Sequence, residues 1–167
     1  MSRAVAIFFG VGLLRPAPGT WGSFVALLIG WAIDIWLGFP ALVLAFVIAT
    51  AAGFWACARE LAGRSGEDPS EIVIDEVAGQ WLALLFPAYG FWMIGHQIVW
   101  PGPVFAFLLF RLFDIWKPWL VGRADRRHDA AGVMLDDLWA GLFAGIATIA
   151  LAAVFHGPVL LWQMIHG

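Results

Sequence analysis

VIDEVAG, residues 73–79, and MLDDLWAG, residues 134–141, decide how this chain is read. Each sets two adjacent carboxylates at the head of a long apolar stretch, Asp75-Glu76 in the first and Asp136-Asp137 in the second. No Asp, Glu, Lys or Arg occurs in 77–110 or 138–167, nor in 16–33 or 35–58. A membrane-spanning helix needs about 20 predominantly apolar residues. The uncharged stretches therefore predict an all-α, polytopic membrane helical bundle of about five transmembrane helices. They fall at about 22–39, 40–58, 76–95, 98–115 and 137–156, with 77–110 split by a turn near Gly95.

Composition agrees. The chain has 167 residues, 62% hydrophobic and 13% charged, where an average soluble domain is about 25% charged. Mean hydropathy is +0.87. Eleven tryptophans suit a protein with two membrane interfaces. No linker or low-complexity tract divides it, so residues 1–167 read as one integral-membrane domain.

The opening MSRAVAIFFGVGLL has the look of a signal peptide, a basic residue before an apolar run. Arg15-Pro16 ends that run and no small-x-small cleavage site follows. A short interfacial or re-entrant segment is expected instead. Cys57 is the single cysteine, so no intrachain disulfide forms. Gly63 occupies the place where a Cys-x5-Arg phosphatase loop requires arginine, which leaves Cys57 a packing residue.

The net charge of −3 says less than its distribution. On this helix map all nine Lys and Arg fall on one side, and the opposite turns near 38–41 and 92–103 have none. The positive-inside rule then puts both carboxylate doublets at the cytoplasmic face. Acids at a helix N-terminus can act as caps. A cap needs one carboxylate, however, and a second adds repulsion. Two doublets on one face of a small bundle have a joint use, which is to hold a cation. Oxygen ligands without a His or Cys cluster favour Mg²⁺ over zinc. Asp75, Glu76, Asp136 and Asp137 are the candidate metal ligands. Gly79, Gly141 and Gly145 are small residues of the kind that let transmembrane helices approach.

FRLFDIWKPW, residues 110–119, adds Arg111, Asp114 and Lys117 three apart. On a helix they lie within roughly a 120° arc, sharing one face before Pro118 stops the helix. This pattern fits an interfacial salt-bridge ladder. It also fits a mixed site, with Asp114 toward a metal and Arg111 and Lys117 toward phosphate. In RPAPGTWGS, residues 15–23, Thr20 or Ser23 can cap the first spanning helix, and Gly19, Thr20 and Ser23 together suit an anion at a helix N-terminus. Arg123, Arg126 and Arg127 suit anionic lipid headgroups, and Asp125, His128 and Asp129 suit an outer layer around the site or a proton shuttle. Arg64, Glu67, Asp68 and Glu71 belong to a solvated loop. Asp34 lies within the first spanning helix, where a charge costs about 2.5–3.5 kcal/mol on insertion scales, so a hydrogen-bonded or interface-facing role is expected.

APGTWGS, IVIDEVAGQW, FRLFDIWKPW and GVMLDDLWAG, in this order along nearly the whole chain, resemble the phosphatidylglycerophosphatase A family. Each motif alone is weak; four in sequence are specific. The resemblance implies a Mg²⁺-dependent bacterial inner-membrane enzyme that converts phosphatidylglycerophosphate to phosphatidylglycerol and phosphate. By resemblance Asp75, Glu76, Asp114, Asp136 and Asp137 are the catalytic acids, and Arg111 and Lys117 match the basic motif positions. One departure is Ala130-Ala131-Gly132, where many members carry a Gly-Gly pair. The implied partners are a membrane phospholipid and the bilayer, and nothing in the pattern asks for nucleic acid. Water attack and an aspartyl phosphate both remain open. Other readings are a phosphatase for another phosphorylated lipid, a CDP-alcohol phosphatidyltransferase and a small ion-binding transport protein. The transferase expects Asp-Gly-x-x-Ala-Arg, and Asp75 and Asp137 are followed by Glu76 and Leu138. A transporter wants polar residues along a path through the bilayer, and Asp34 alone offers one.

Overall fold

A computed structural model describes residues 1–62, 69–127 and 129–166 of the chain, with side chains through Phe155. Among the described residues all regular structure is helical. A short helix α1 (Ser2–Ala6) and a 3-10 segment (Phe8–Leu13) precede α2 (Pro18–Leu37) and α3 (Phe39–Glu60). Then come α4 (Ile74–Trp92), α5 (Gly102–Trp116), the short α6 (Leu120–Asp125) and α7 (Ala130–His166). Among the described residues three helices are long and apolar enough to cross a membrane: α2, α3 and the Ala130–Phe155 part of α7.

Helix α4 is the hub. It packs against α2, α3, α5 and α7, and its Val77, Ala78, Ala83, Leu84 and Ala88 are fully buried. The outward faces of α2 and α3 carry Leu28, Trp36, Leu44 and Ile48, exposed apolar residues of the kind a bilayer covers. The α4–α7 seam depends on glycine. A Cβ at Gly141 would overlap the Gly79 carbonyl oxygen, and one at Gly79 would stand 2.5 Å from the Asp137 carbonyl oxygen. Backbone therefore meets backbone at this crossing, as small residues permit between apolar helices.

The helix boundaries differ most at α7, which starts at Ala130 rather than about 137 and continues beyond 156. Asp129, not the Asp136-Asp137 doublet, caps it. The Gly132 N–H donates to Asp129 Oδ1 at 2.6 Å, and the Arg127 guanidinium donates to the same carboxylate. The hydrogen bond from Arg127 and the Gly132 N–H together hold the Asp129 carboxyl below its usual range. Alanines at 130 and 131 are strong helix formers, so the helix begins directly after its cap. At α2, Ala17 is the N-cap residue with no side-chain bond and Pro18 opens the helix. Thr20 and Ser23 thus lie inside α2 and are not its caps. Proline fits that first position because it has no N–H to leave unpaired.

Asp34 is 2% exposed and accepts from the Ile98 N–H at 2.7 Å. Trp31 Nε1 donates to the Ile98 carbonyl at 2.9 Å. Two α2 side chains thereby hold both polar groups of one residue in the α4–α5 connection, whose chain reverses at Gly95 with φ 76°. At the other end Arg3 pairs with Glu71 at 2.8 Å, and the Val73 N–H donates to the Ala6 carbonyl, so α1 is tied to the start of α4. Glu71 is a structural partner here rather than a solvated bystander, while Arg64, Glu67, Asp68 and His128 lie outside the described residues. Replacing Asp34 with Ala strands the buried Ile98 N–H and should cost about 1–3 kcal/mol. Thermal unfolding in detergent should show a lower midpoint for Asp34→Ala than for Asp34→Asn, which keeps an acceptor oxygen.

Candidate active site

Three helix ends and the second turn of α7 surround one polar cavity of about 260 Å³. The first turn of α2 gives Gly19 and Thr20, the first turn of α4 gives Asp75 and Glu76, the end of α5 gives Arg111, Asp114 and Lys117, and α7 gives Asp136 and Asp137. Nine of the ten expected site residues thus line one hollow. The tenth, Ser23, lies behind it, fully buried. Its hydroxyl donates to the Gly19 carbonyl at 2.7 Å and accepts from Arg111 Nη1 at 3.2 Å.

The acids fall into two groups. Asp75, Glu76 and Asp137 each offer a carboxylate oxygen, and these oxygens lie within 4.8 Å of one another. All three side chains are largely shielded from solvent, Asp137 at 3% exposure. Glu76 Oε2 and Asp137 Oδ1 are buried without a hydrogen-bond partner. Unpaired buried acceptors of this kind are costly, and a cation among them relieves both desolvation and mutual repulsion. The residues present therefore fit a hard, oxygen-loving metal ion. Gly19 packs so closely onto this group that a Cβ there would overlap Glu76 Oε1.

Asp136 goes elsewhere. Its Oδ2 is 3.3 Å from Lys117 Nζ, which also donates to Asp125. Lys117 ends α5 in a left-handed conformation, φ 50° and ψ 54°. Burial pulls the Lys117 pKa down, but the hydrogen bond to Asp125 and the charges of Asp136 and Asp125 outweigh it, holding the ammonium above its usual value. Lys117 stays charged at neutral pH. Arg111 is fixed on the other wall, with Nη1 2.7 Å from Asp114 Oδ2 and its Nε buried without a partner. Only one rung of the i,i+3 ladder forms, Arg111–Asp114, since Lys117 pairs with Asp125 and Asp136 instead, and both cations line the cavity.

Asp125, expected in an outer layer around the site, pairs with Lys117; that particular pairing and one wall of the cavity have no clear signal in the sequence. Asp125 becomes the partner of Lys117 because Pro118 and Trp119, the latter at φ 42°, reverse the chain into α6. Pro69, Ser70 and Ile72 form a wall of the cavity from the connection before α4. Asp129 is engaged in capping α7.

The arrangement can bind a divalent cation and an anion side by side, the pairing that a phosphoryl group requires. Comparison with known proteins agrees. The Bacteroides thetaiotaomicron protein named "Putative phosphatidylinositol-3-phosphatase" is 38% identical, covering 83% of this chain and 85% of that protein. The "Phosphatidylglycerophosphatase A" of Haemophilus influenzae is 32% identical, covering 88% of this chain and 86% of its own length. The protein of the same name from Escherichia coli is 33% identical, covering 85% of this chain and 78% of its own length. No solved structure matches the chain. The phosphatidylglycerophosphatase A family profile matches residues 4–152, which contain every residue of the cavity, and the chain belongs to that family.

Proposed function

We propose that this chain hydrolyses the terminal phosphomonoester of phosphatidylglycerophosphate to phosphatidylglycerol and phosphate, with Mg²⁺, at the cytoplasmic face of a bacterial inner membrane. The observation that carries this reading is the juxtaposition of the carboxylate trio with Arg111 and Lys117 in one cavity. Family membership supports the reaction class.

Asp75, Glu76 and Asp137 would hold the ion, which supplies charge neutralisation and Lewis-acid polarisation of a phosphoryl oxygen. The chain does the positioning. Arg111, braced by Asp114 and Ser23, directs its remaining N–H donors at phosphate oxygens. Lys117 has a third N–H beyond those given to Asp125 and Asp136. The first turn of α2, with Gly19 and Thr20 on the wall, adds the positive end of a helix dipole. The P–O bond to glycerol breaks, water supplies an oxygen to the released phosphate, and one proton of that water goes to the leaving glycerol oxygen. Catalysis here rests on electrostatics fixed before the substrate arrives.

The helix ends support the membrane placement. We read α4 and α5 as spanning with α2, α3 and α7, giving five crossings. At 19 residues α4 reaches roughly 28 Å and at 15 residues α5 roughly 22 Å, against a hydrocarbon core about 30 Å thick. Every described Lys and Arg belongs to the cavity's end of the bundle, including Arg3, Arg15 and Arg59. The positive-inside rule supports cytoplasmic exposure of that end. The 3-10 segment, with Phe9 80% exposed beside Leu13 and Leu14, is read as lying in the interface.

A second reading, another phosphorylated lipid headgroup, is favoured by the printed name of the Bacteroides relative. Phosphate release by purified protein from phosphatidylglycerophosphate, phosphatidylinositol 3-phosphate and phosphatidic acid separates the two. We expect the first to dominate, EDTA to abolish release and added Mg²⁺ to restore it. Dominant release from phosphatidylinositol 3-phosphate would establish the second reading in its place.

Asp137→Asn removes one charge from the trio and should lower kcat by about 10²–10³-fold. It also removes repulsion around a buried, unpaired oxygen. In EDTA its unfolding midpoint should therefore match or exceed that of the wild type, and the rise in midpoint on adding Mg²⁺ should shrink. A variant that turns over normally removes Asp137 from the mechanism.

A further inference from the structure

We infer that Asp125, an acid outside the cavity, is a positioning residue for the reaction: it holds the Lys117 ammonium against the cavity from behind, with Asp136 gripping the same ammonium from α7. The inference rests on the reading of Lys117 as the phosphate-directed cation.

An ammonium has three donors. Lys117 gives one to Asp125 and one to Asp136, so the third is the one left for a ligand. Lys117 lines the cavity, and Asp125 does not. The order outward is therefore cavity, ammonium, carboxylate. An unheld lysine carries a flexible four-carbon stem, and fixing it on substrate binding costs side-chain entropy. Here that ordering is done within the fold.

The local backbone is shaped for this contact. Lys117 takes the left-handed conformation, Trp119 follows at φ 42°, and α6 leaves the end of α5 to pack against α7. The turn is tight, because a Cβ at Gly122 would stand 2.7 Å from the Lys117 carbonyl oxygen. Six residues of helix then end at Asp125, facing the ammonium. The same contact explains why Asp136 stands apart from the trio of Asp75, Glu76 and Asp137. Of the α7 doublet, Asp137 serves the cation site and Asp136 serves Lys117.

Lys117 is the chain's single lysine, which makes the test clean. Kinetics in lipid–detergent micelles would compare wild type, Asp125→Asn, Asp125→Glu, Lys117→Met and the Asp125→Asn/Lys117→Met double variant. Asp125→Asn should raise KM about tenfold with a smaller change in kcat, and Asp125→Glu should recover part of that loss. In the Lys117→Met background Asp125→Asn should change kcat/KM by less than about twofold, because it acts through Lys117. Additive effects in that cycle would overturn the assignment, and so would a loss confined to thermal stability.

A second measurement needs no turnover. Acylation of Lys117 by an amine-reactive ester, read at its own peptide by mass spectrometry, should run several-fold faster in Asp125→Asn than in wild type. Equal rates would also overturn the assignment. If the wild type releases phosphate from none of the tested lipids, the proposed function fails. The labelling rates then still decide whether Asp125 holds Lys117.

Discussion

Carboxylates repel one another, yet oxygens of Asp75, Glu76 and Asp137 come within 4.8 Å here. The contact that permits this is the crossing of α4 and α7 at Gly79 and Gly141. The two glycines have no side chain to hold the helices apart at this point, so the backbones touch. Asp75 and Glu76 stand one turn before Gly79, and Asp137 stands one turn before Gly141. The distance between the acidic ends is therefore inherited from the crossing. A bulkier residue at either glycine would separate the carboxylates as well as the helices. The hub position of α4, packed by α2, α3, α5 and α7, keeps the crossing from relaxing under the repulsion.

The charges are apportioned by distance. The trio of acids concentrates negative potential where a cation fits, while each basic side chain is tied to an acid of its own. Arg111 has Asp114 and Lys117 has Asp125 and Asp136. Without those partners two cations beside three acids would be drawn onto them, into the space where an ion could sit. Braced as they are, they stay on the opposite walls. An electrostatic site of this kind is organised before its substrate arrives, and that is the property a phosphoryl transfer exploits.

Much of this was legible in sequence because membrane proteins segregate charge. Long uncharged stretches mark the apolar helices, and whatever acids interrupt them carry meaning. The doublets, the Arg-Asp-Lys face and the Gly-Thr turn all arrived at one cavity. Three things were not legible. The start of α7 was misplaced because a doublet beside an apolar run resembles a cap, while the true cap, Asp129, sits in a polar stretch without contrast. The Lys117–Asp125 contact depends on positive-φ backbone at Lys117 and Trp119, which no residue-type rule foresees in non-glycine positions. Asp34 was expected to be hydrogen-bonded, and it is, but its partner Ile98 is an apolar residue contributing only its backbone N–H.

The corrected start of α7 sets the acids at different depths in their helices. Asp75 and Glu76 occupy the first turn of α4, whereas Asp137 lies seven residues inside α7, roughly 10 Å along its axis. Two turns of α7 therefore stand beyond the acids, with α6 packed against them. The α7 side of the cavity is Asp136 and Asp137 themselves, and the Pro69–Ile72 connection forms another wall. A flush ring of helix ends would leave the acids in bulk water, where they would be screened and need no ion. Recessed by this amount, Glu76 Oε2 and Asp137 Oδ1 are buried with no hydrogen-bond donor from the protein. The first turn of α2, the Pro69–Ile72 connection and the end of α5 thus set the acids of α4 and α7 in a depression rather than on a surface, with Arg111 and Lys117 beside them.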